Sequence, residues 1–421
     1  MARTVAGLPE GTRVTDFISL GVVTRAFPLA SIQRILKESG RTSQRERELP
    51  AHVMVYYVIA LALYMQVSYR EVLRCLLEGM RWLAEPDAEF RPAGASAISQ
   101  ARARLGAEPV ERLYAEVVRP IAMAQTPGAW YRERRLVTLD GTTFDIADTD
   151  ANEKFFGRPA SSRGANATGA FPQLRLVGLV ETGTHVVFGA APGPYTESEM
   201  SLVRQVLPAL RSDMLCLADR GFMSFDLWRE ALPTKAALVW RAKDNMKFPV
   251  EEAFPDGSYL SALRWNYFCR STDRTPIPVR VLEYELPGVP EAESRYRLVT
   301  SLLDAEAAPA AELAALYHER WEIETAFDEL KTHLRGPRVV LRSKTPELVR
   351  QEVFGFLLAH YAVRDLMHQA ALAARPRARD PDSLSFTHAV RVIRRTLPRV
   401  AAFPPSGAGP GPHGDSGGTA R

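Results

Sequence analysis

The chain has 421 residues, a formal net charge of +4, 46% hydrophobic residues and three cysteines. This length exceeds one ordinary core and predicts two or three domains. The cysteines, Cys75, Cys216 and Cys269, form no CxxC pair, which argues against a disulfide framework or a structural zinc site and fits a reducing cytoplasm. The longest apolar run, residues 53–65, is too short for a bilayer, which needs about 20 residues. We therefore expect a cytoplasmic protein without a membrane partner.

Residues 1–125 are predicted to form a helical N-terminal domain. The segment SYREVLRCLLEGMRWL begins with Ser68 and has Glu71 three residues later, which is the pattern of a capping box. A later short helix, SAISQARARLG, carries Arg102 and Arg104. These arginines are candidates for reading DNA in a helix-turn-helix-like arrangement. The alternative is a plain helical bundle in which both arginines are solvated.

The middle of the chain predicts an α/β sheet. Three strands, a helix, a strand, a helix and a strand follow one another, and apolar strands flanked by helices indicate a sheet covered on both faces. Residues 236–310 consist of short strands with turn residues and predict a β-rich insertion. Residues 126–235 and 311–373 then form the core. Residues 374–421 are predicted to be a basic segment and a disordered tail.

The stretch YHERWEIETAFDELK, residues 317–331, is predicted to be a helix with one polar face beside its core stripe. At roughly 100° per residue, four residues share a face about 60° wide: Tyr317, Arg320, Glu324 and Lys331. Asp328 lies close to this face and competes with Glu324 for a catalytic role, whereas Glu329 is predicted to point to solvent. A set of structural ion pairs is the alternative to an active site.

Two further carboxylates follow apolar strands. Asp140 comes after LVTL and Asp219 after LCLA, with Gly141 and Gly221 close by, so that another backbone or a phosphate can approach. A magnesium ion engaged with phosphate takes two or three acidic ligands from rigid elements. The alternatives are a hairpin turn at Asp140-Gly141 and a helix N-cap at Asp219.

Together these motifs resemble those of bacterial insertion-sequence transposases of the DDE class, specifically the insertion-sequence-4 family. The pattern Y-x2-R-x3-E-x6-K is present in full, and DGTTFDIADT and LADRGF match the segments around the two aspartates. The likeness extends over roughly residues 10–370. It implies an α/β fold with a ribonuclease H-like catalytic core, interrupted by a β-rich insertion and preceded by an all-α N-terminal domain.

The resemblance also implies a function, namely cut-and-paste transposition by metal-dependent DNA cleavage at element ends and strand transfer of 3′-OH ends. It implies that Asp140, Asp219 and Glu324 hold two Mg²⁺ ions per active site, for which Mn²⁺ can substitute. Tyr317, Arg320 and Lys331 would position phosphates. The implied partners are double-stranded DNA, as terminal inverted repeats and target, and a second copy of the chain in a homodimeric synaptic complex.

A basic stretch follows the motif. KTHLRGPRVVLRSKTPELVR holds six Lys or Arg residues against one acid, which favours DNA binding. Its further candidate DNA-binding residues are Arg335, Arg338, Arg342 and Lys344. Trp240 and Trp265 are candidates for the aromatic residue that holds a flipped base in relatives that use a DNA hairpin, or they are buried structural residues.

Two other functions remain open from the sequence. One is a ribonuclease H-like endonuclease that cuts DNA without joining it. The other is an inactive DNA-binding relic of a transposase.

Overall fold

The computed structural model describes residues 20–43, 49–65, 67–80, 93–159, 171–265, 267, 269–285, 295–318, 320, 322–334, 340–374 and 380–395. Within these ranges, no helix combines the length and apolar character required to cross a membrane.

The N-terminal part of the described chain is helical, as predicted. Its helices are α1 Leu20–Ala26, α2 Leu29–Glu38, α3 Ala51–Leu63, α4 Tyr69–Met80, α5 Ala95–Leu105 and α6 Glu108–Val117. The Ser68 hydroxyl accepts a hydrogen bond from the Glu71 amide at 3.2 Å, which is the forward half of the predicted capping box. Residues 53–63 of α3 are all buried. The apolar run is thus a core helix.

The rest of the described chain is built on one sheet. Its strands are β1 Trp130–Tyr131, β2 Arg134–Asp145, β3 Gln173–Glu181, β4 Val186–Pro194, β5 Met214–Ala218, β6 Ala237–Arg241, β7 Glu252–Ala253, β8 Tyr259–Leu263, β9 Ile277–Tyr284 and β10 Tyr296–Thr300. Its helices are α7 Asp150–Phe156, α8 Glu199–Val206, α9 Phe225–Ala231, α10 Ala310–His318, α11 Glu322–Asp328, α12 Pro346–Ala373 and α13 Phe386–Arg395.

The strand order is β4-β3-β2-β5-β6-β10-β9-β8-β7, with β1 paired to β2. Strands β2, β3 and β4 are antiparallel neighbours, whereas β2, β5 and β6 run parallel. The first five strands of this order form the ribonuclease H-like core. The predicted fold class, an α/β core with a β-rich insertion and a helical N-terminal region, is confirmed.

The insertion continues the core sheet. Strand β10 pairs antiparallel with β6, so that β6 lies between a core strand and an insertion strand. The predicted start of the insertion at residue 236 is therefore wrong, because it separates β6 from the parallel strand β5 beside it. The composition of residues 237–241 resembles that of any buried strand, and only the pairing assigns the strand to the core.

One face of the sheet is covered by α10. Leu313 and Leu316 of α10 pack in a cluster that includes Leu215 of β5, Leu282 of β9 and Leu298 of β10. Core strands and insertion strands thus share one hydrophobic surface, and the helix that precedes the catalytic glutamate candidate spans it.

Glu329 is buried, and the prediction that it points to solvent is wrong. Glu329 opens a π-helical turn of residues 329–334, and its side chain is covered by α12 and by His185, which a helical wheel cannot show. The Glu329 side chain is 4% exposed. It accepts a hydrogen bond from Arg364 Nε at 2.8 Å and lies 3.0 Å from His360 Nε2 and 3.5 Å from His185 Nδ1.

This buried cluster governs the ionisation of Glu329. Burial alone would raise the pKa of Glu329, but hydrogen bonds from His185 and His360 and the charge of Arg364 hold the pKa below its usual value. Burial lowers the pKa of His360, against the effect of its hydrogen bond to Glu329. The carboxylate and the Arg364 guanidinium consequently form a buried charged pair, fixed in place by the imidazoles.

We expect Glu329→Gln to lower the free energy of unfolding by about 3 kcal/mol at pH 7, because Arg364 loses its buried counter-charge. The folded pKa of Glu329 lies below the unfolded value of 4.5. The advantage of the wild type is therefore complete above about pH 4.5 and shrinks in acid, where the unfolded chain takes up the proton first. Urea unfolding at pH 7 and pH 4 measures both effects. Glu306→Gln, at an exposed position, is the control, and equal losses in both variants would contradict the expectation.

Candidate active site

The parallel pairing of β2 and β5 brings the two aspartates together. Leu139 of β2 lies opposite Ala218 of β5, and the next residues along the two strands are Asp140 and Asp219. Asp140 is inside β2, so the hairpin-turn alternative is wrong. The N-cap alternative for Asp219 is also wrong, because Ser224 caps the following helix. Both carboxylates therefore lie side by side on neighbouring parallel strands.

The Y-x2-R-x3-E motif spans two helices instead of the single helix predicted. Tyr317 lies in the last turn of α10, and Glu324 lies in α11. Between them, Arg320 is 8% exposed. Its Nη1 atom lies 3.3 Å from Asp140 Oδ2 and its Nη2 atom lies 4.0 Å from Glu324 Oε1. One guanidinium thus bridges the first aspartate and the glutamate.

Glu324 and its competitor differ in surroundings. The Glu324 side chain is 53% exposed beside Arg320. Asp328 is also exposed, and its carboxylate accepts a hydrogen bond from Thr332 at 2.6 Å, within its own helical segment. The Arg320 contact favours Glu324 as the third acid of the site.

Tyr317 is buried against the strand that leads to the second aspartate. Its hydroxyl donates to the carbonyl of Ala218 at 3.5 Å, and its ring centre lies 5.8 Å from the Arg320 guanidinium carbon. Burial raises the pKa of Tyr317, which keeps the phenol neutral. In this structure Tyr317 holds α10 against β5, and a phosphate contact would require α10 to move.

Asp140 is a carboxyl whose charged form is disfavoured mainly by burial. Burial raises the pKa of Asp140 to about 6, against the effects of the Gly141 amide and the Arg320 charge. The carboxylates of Asp219 and Glu199 raise it further. The Gly141 amide donates to Asp140 Oδ1 at 2.7 Å. A cation bound here would relieve this repulsion.

Glu199, in the first turn of α8, is a fourth acid near the site that was not predicted from the sequence. A Cβ atom added at Gly141 would lie 2.9 Å from Glu199 Oε1. The glycine after Asp140 was a correct signal of close approach, but the group that approaches is a carboxylate. Its position depends on the packing of α8 over the sheet, which no local pattern reveals.

The donor set fits a hard divalent cation. Carboxylate oxygens on rigid elements are ligands that Mg²⁺ and Mn²⁺ accept. Within the part of the chain that the structure describes, no three His, Cys, Asp or Glu side chains are grouped closely enough to hold a metal. The Arg320 guanidinium lies between Asp140 and Glu324 instead. A metal that engages both carboxylates must therefore displace this guanidinium.

The basic residues after Glu324 have different environments. Lys331 is partly exposed in the π-helical turn, and Lys344 is exposed. The Arg342 Nη1 atom donates to the carbonyl of Val67 at 2.5 Å, and its guanidinium carbon lies 4.8 Å from the Tyr69 ring centre. Arg342 therefore joins the core to the N-terminal helices. The two other predicted DNA-binding residues lie outside the described part of the chain: Arg335 and Arg338.

The prediction that Arg102 reads DNA is wrong. Arg102 is 2% exposed, its Nε atom donates to Gln351 Oε1 at 2.8 Å and its Nη2 atom donates to Ser343 Oγ at 2.9 Å. It ties α5 to the start of α12, a tertiary contact that the short basic helix could not indicate. Arg104 is exposed on the same helix, and its role in DNA binding stays a prediction.

The two tryptophan candidates differ in solvent exposure. Trp240 is fully buried and packs edge-to-face on Trp228 with ring centres 5.2 Å apart, which is the structural role. Trp265 is 45% exposed, with the Arg274 guanidinium carbon 4.4 Å from its ring centre. The buried alternative is therefore wrong for Trp265.

Two family models and a curated relative match this chain. A family model described as Transposase DDE domain matches residues 131–361, and one described as Insertion element 4 transposase N-terminal matches residues 17–115. The chain is 30% identical over 386 residues to the transposase InsG for insertion sequence element IS4 of Escherichia coli (strain K12), covering 90% of this chain and 82% of that protein. The piggyBac transposase in a synaptic complex with hairpin DNA shares 12% identity and a TM-score of 0.46, covering 91% of this chain and 81% of that one.

We expect Mg²⁺ or Mn²⁺ to raise the melting temperature of the wild-type protein, because the metal binds the folded carboxylates in preference to the unfolded chain. The stabilisation reaches about 2.7 kcal/mol at a metal concentration 100 times the Kd. Asp140→Asn should lose most of the shift, whereas Asp328→Asn, with its exposed carboxylate on the same helix as Glu324, should retain it. Differential scanning fluorimetry across a metal series measures the shift, and equal shifts in both variants would place the metal elsewhere.

Proposed function

Because this chain belongs to the DDE transposase family of insertion sequences, we propose that it moves its element by a cut-and-paste route, with Asp140, Asp219 and Glu324 as the catalytic acids. The observation that carries this assignment is the pairing of β2 with β5, which sets two aspartates side by side, with Arg320 linking the first of them to the glutamate. The reaction has two parts, cleavage of the element ends and transfer of their 3′-OH groups to target DNA.

The DDE domain implies dependence on a divalent metal. We propose Mg²⁺, with Mn²⁺ able to substitute, and two ions per active site. When bound, such ions activate water or a 3′-OH and stabilise the leaving oxygen. Asp140 and Asp219 provide oxygen ligands from the strands, and Glu324 provides one from α11. Glu199 adds negative charge beside Asp140 that favours cation binding.

Arg320 is proposed to exchange partners during the reaction. Here its guanidinium offsets the charges of Asp140 and Glu324. With a divalent cation held by the carboxylates, Arg320 would no longer be needed to offset their charge and could bind a phosphate of the DNA. A guanidinium suits this exchange because its planar donor fork matches both carboxylate and phosphate. Arg320 would thus have two roles, one toward the carboxylates and one toward the DNA.

The proposed partner is double-stranded DNA, at the terminal inverted repeats and at the target. Lys331 and Lys344 present positive charge after the glutamate helix, and Arg104 presents it on α5. We propose that Lys331 binds phosphate and that Arg104 contributes to recognition of the end sequence. A homodimer is proposed for the synaptic complex, since two element ends must be processed together.

We expect Asp140→Ala, Asp219→Ala and Glu324→Ala each to abolish cleavage while binding to end DNA stays nearly intact, because these side chains hold metal and do not grip DNA. Cleavage is measured on a linear donor with Mg²⁺, and binding is measured with Ca²⁺ in place of Mg²⁺. Ca²⁺ takes longer and looser coordination and should support binding without cleavage.

The control for Glu324→Ala is Asp328→Ala, on the same helix, which should cleave normally. Appreciable cleavage by Glu324→Ala together with a loss in Asp328→Ala would assign the third acid to Asp328. A strand-transfer assay on the same donor separates the proposed function from its nearest alternative. Cleaved ends that never join target DNA would identify an endonuclease.

For DNA contacts, we expect Lys331→Ala to weaken binding about equally for end DNA and scrambled DNA. The slope of log K against log salt should fall by roughly one unit, because one phosphate contact is lost. Arg104→Ala should instead reduce the preference for end DNA over scrambled DNA. Competitive binding across a salt series measures both properties. A loss of preference in Lys331→Ala with an unchanged salt slope would contradict this division of roles.

A further inference from the structure

The first turn of α10 is capped by a residue of the insertion. The amide N–H of Ala310, the first residue of α10, donates to Asp256 Oδ2 at 2.9 Å. Asp256 lies in the turn between β7 and β8, more than 50 positions earlier in the chain. The residue before α10 is Pro309, whose side chain offers no acceptor, so the N-cap position itself cannot supply one. The insertion supplies the missing acceptor.

A second insertion residue fixes the loop that leads into α10. Arg280 of β9 is fully buried, and its Nη1 atom donates to the carbonyls of Leu302 at 3.2 Å and Asp304 at 2.8 Å. Its Nη2 atom donates to the carbonyl of Ala308 and lies 3.8 Å from Asp256 Oδ2. A buried guanidinium is costly unless its donors are satisfied. The carbonyls of the 302–308 loop accept from both Nη atoms, whereas Nε has no hydrogen-bond partner among the described residues. Another conformation of the loop would leave the Nη donors unpaired as well.

The opposite end of α10 is held by the core. The Tyr317 hydroxyl donates to the carbonyl of Ala218, the residue before Asp219. Arg320 follows and contacts Asp140, and Glu324 lies four residues further on. The helix therefore has one end fixed by the insertion and the other end fixed by the strand that carries the second aspartate.

From this geometry we propose that Asp256 and Arg280 are positioning residues for the catalytic glutamate. They set where α10 begins on the sheet, and thereby set how far Arg320 and Glu324 lie from Asp140. The role of Glu324 in this proposal rests on the function proposed above, whereas the capping of α10 does not. The β-rich insertion is then part of the framework that completes the acidic site.

The test uses the full-length protein with Asp256→Ala and Asp256→Asn. Asparagine has the same shape as aspartate and keeps an oxygen that can accept from the Ala310 amide, whereas alanine has no acceptor. Glu252→Ala, an exposed acid in strand β7 of the same insertion, is the matched control. Amide hydrogen exchange is followed in residues 310–318 and, for comparison, in residues 134–145 of β2, without metal or DNA.

Asp256→Ala should accelerate exchange in residues 310–318 by roughly 3- to 30-fold, the range expected for loss of a helix cap, and leave β2 unchanged. The Mg²⁺ concentration for half-maximal cleavage should rise by a similar factor, while the affinity for end DNA in Ca²⁺ stays constant. Asp256→Asn should resemble the wild type in both measurements. Arg280→Lys, which keeps the charge but loses the donor fork, should behave like Asp256→Ala.

Three outcomes would overturn the proposal. They are unchanged exchange in residues 310–318 of Asp256→Ala, equally faster exchange in β2, which signals global destabilisation, and failure of Asp256→Asn to keep the wild-type rates. A further outcome is that the wild-type protein fails to cleave end DNA while Asp256→Ala still accelerates exchange in residues 310–318 alone. That pair of results would contradict the proposed function and support the capping of α10.

Discussion

The parallel register of β2 and β5 is the constraint on which the rest of the structure depends. It sets Asp140 beside Asp219 in the middle of the sheet, where β5 ends, and burial, with a smaller effect of like charges, raises the pKa of Asp140 to about 6. Two carboxylates so placed destabilise each other unless a cation is present. The chain itself supplies a cation, since Arg320, in the segment between α10 and α11, forms an ion pair with Asp140. The strand pairing thus creates an electrostatic requirement, and the helices that follow the insertion meet it.

The continuity of the sheet explains how a long insertion is tolerated between the second aspartate and the glutamate. Strand β10 pairs with β6, so the chain returns from the insertion beside the strand at which it left. Helix α10 then covers core and insertion strands through one hydrophobic cluster. An insertion attached by flexible linkers would leave the start of α10 undefined. Here its placement is coupled to the same hydrogen-bonded ladder that holds the aspartates.

The parts of the site that could be predicted from the sequence are those set by local pattern. Asp140 and Asp219 follow apolar strands, and the motif around Glu324 is contiguous, so the residues and the fold class were accessible. The burial of Glu329 could not be predicted, because it comes from His185 and from His360 and Arg364 of α12. The burial of Arg102 could not be predicted, because its partner Gln351 belongs to α12. The position of Glu199 near the site could not be predicted either, because it depends on packing against β2. The placement of β6 required knowledge of its partner strand. Each failure reflects a tertiary contact that overrides a correct local pattern.

The Arg320 bridge also bears on the order of events at the site. A guanidinium between Asp140 and Glu324 occupies the position that a shared metal would need, so metal entry and release of Arg320 are coupled. Release costs less when a phosphate is at hand to accept the guanidinium, since a charged group without a partner is expensive in a partly buried site. DNA and metal therefore favour each other's binding, and by linkage the effect is reciprocal. On the proposed function, such a site would bind metal more weakly without DNA than with it, which favours strand cleavage in the assembled complex.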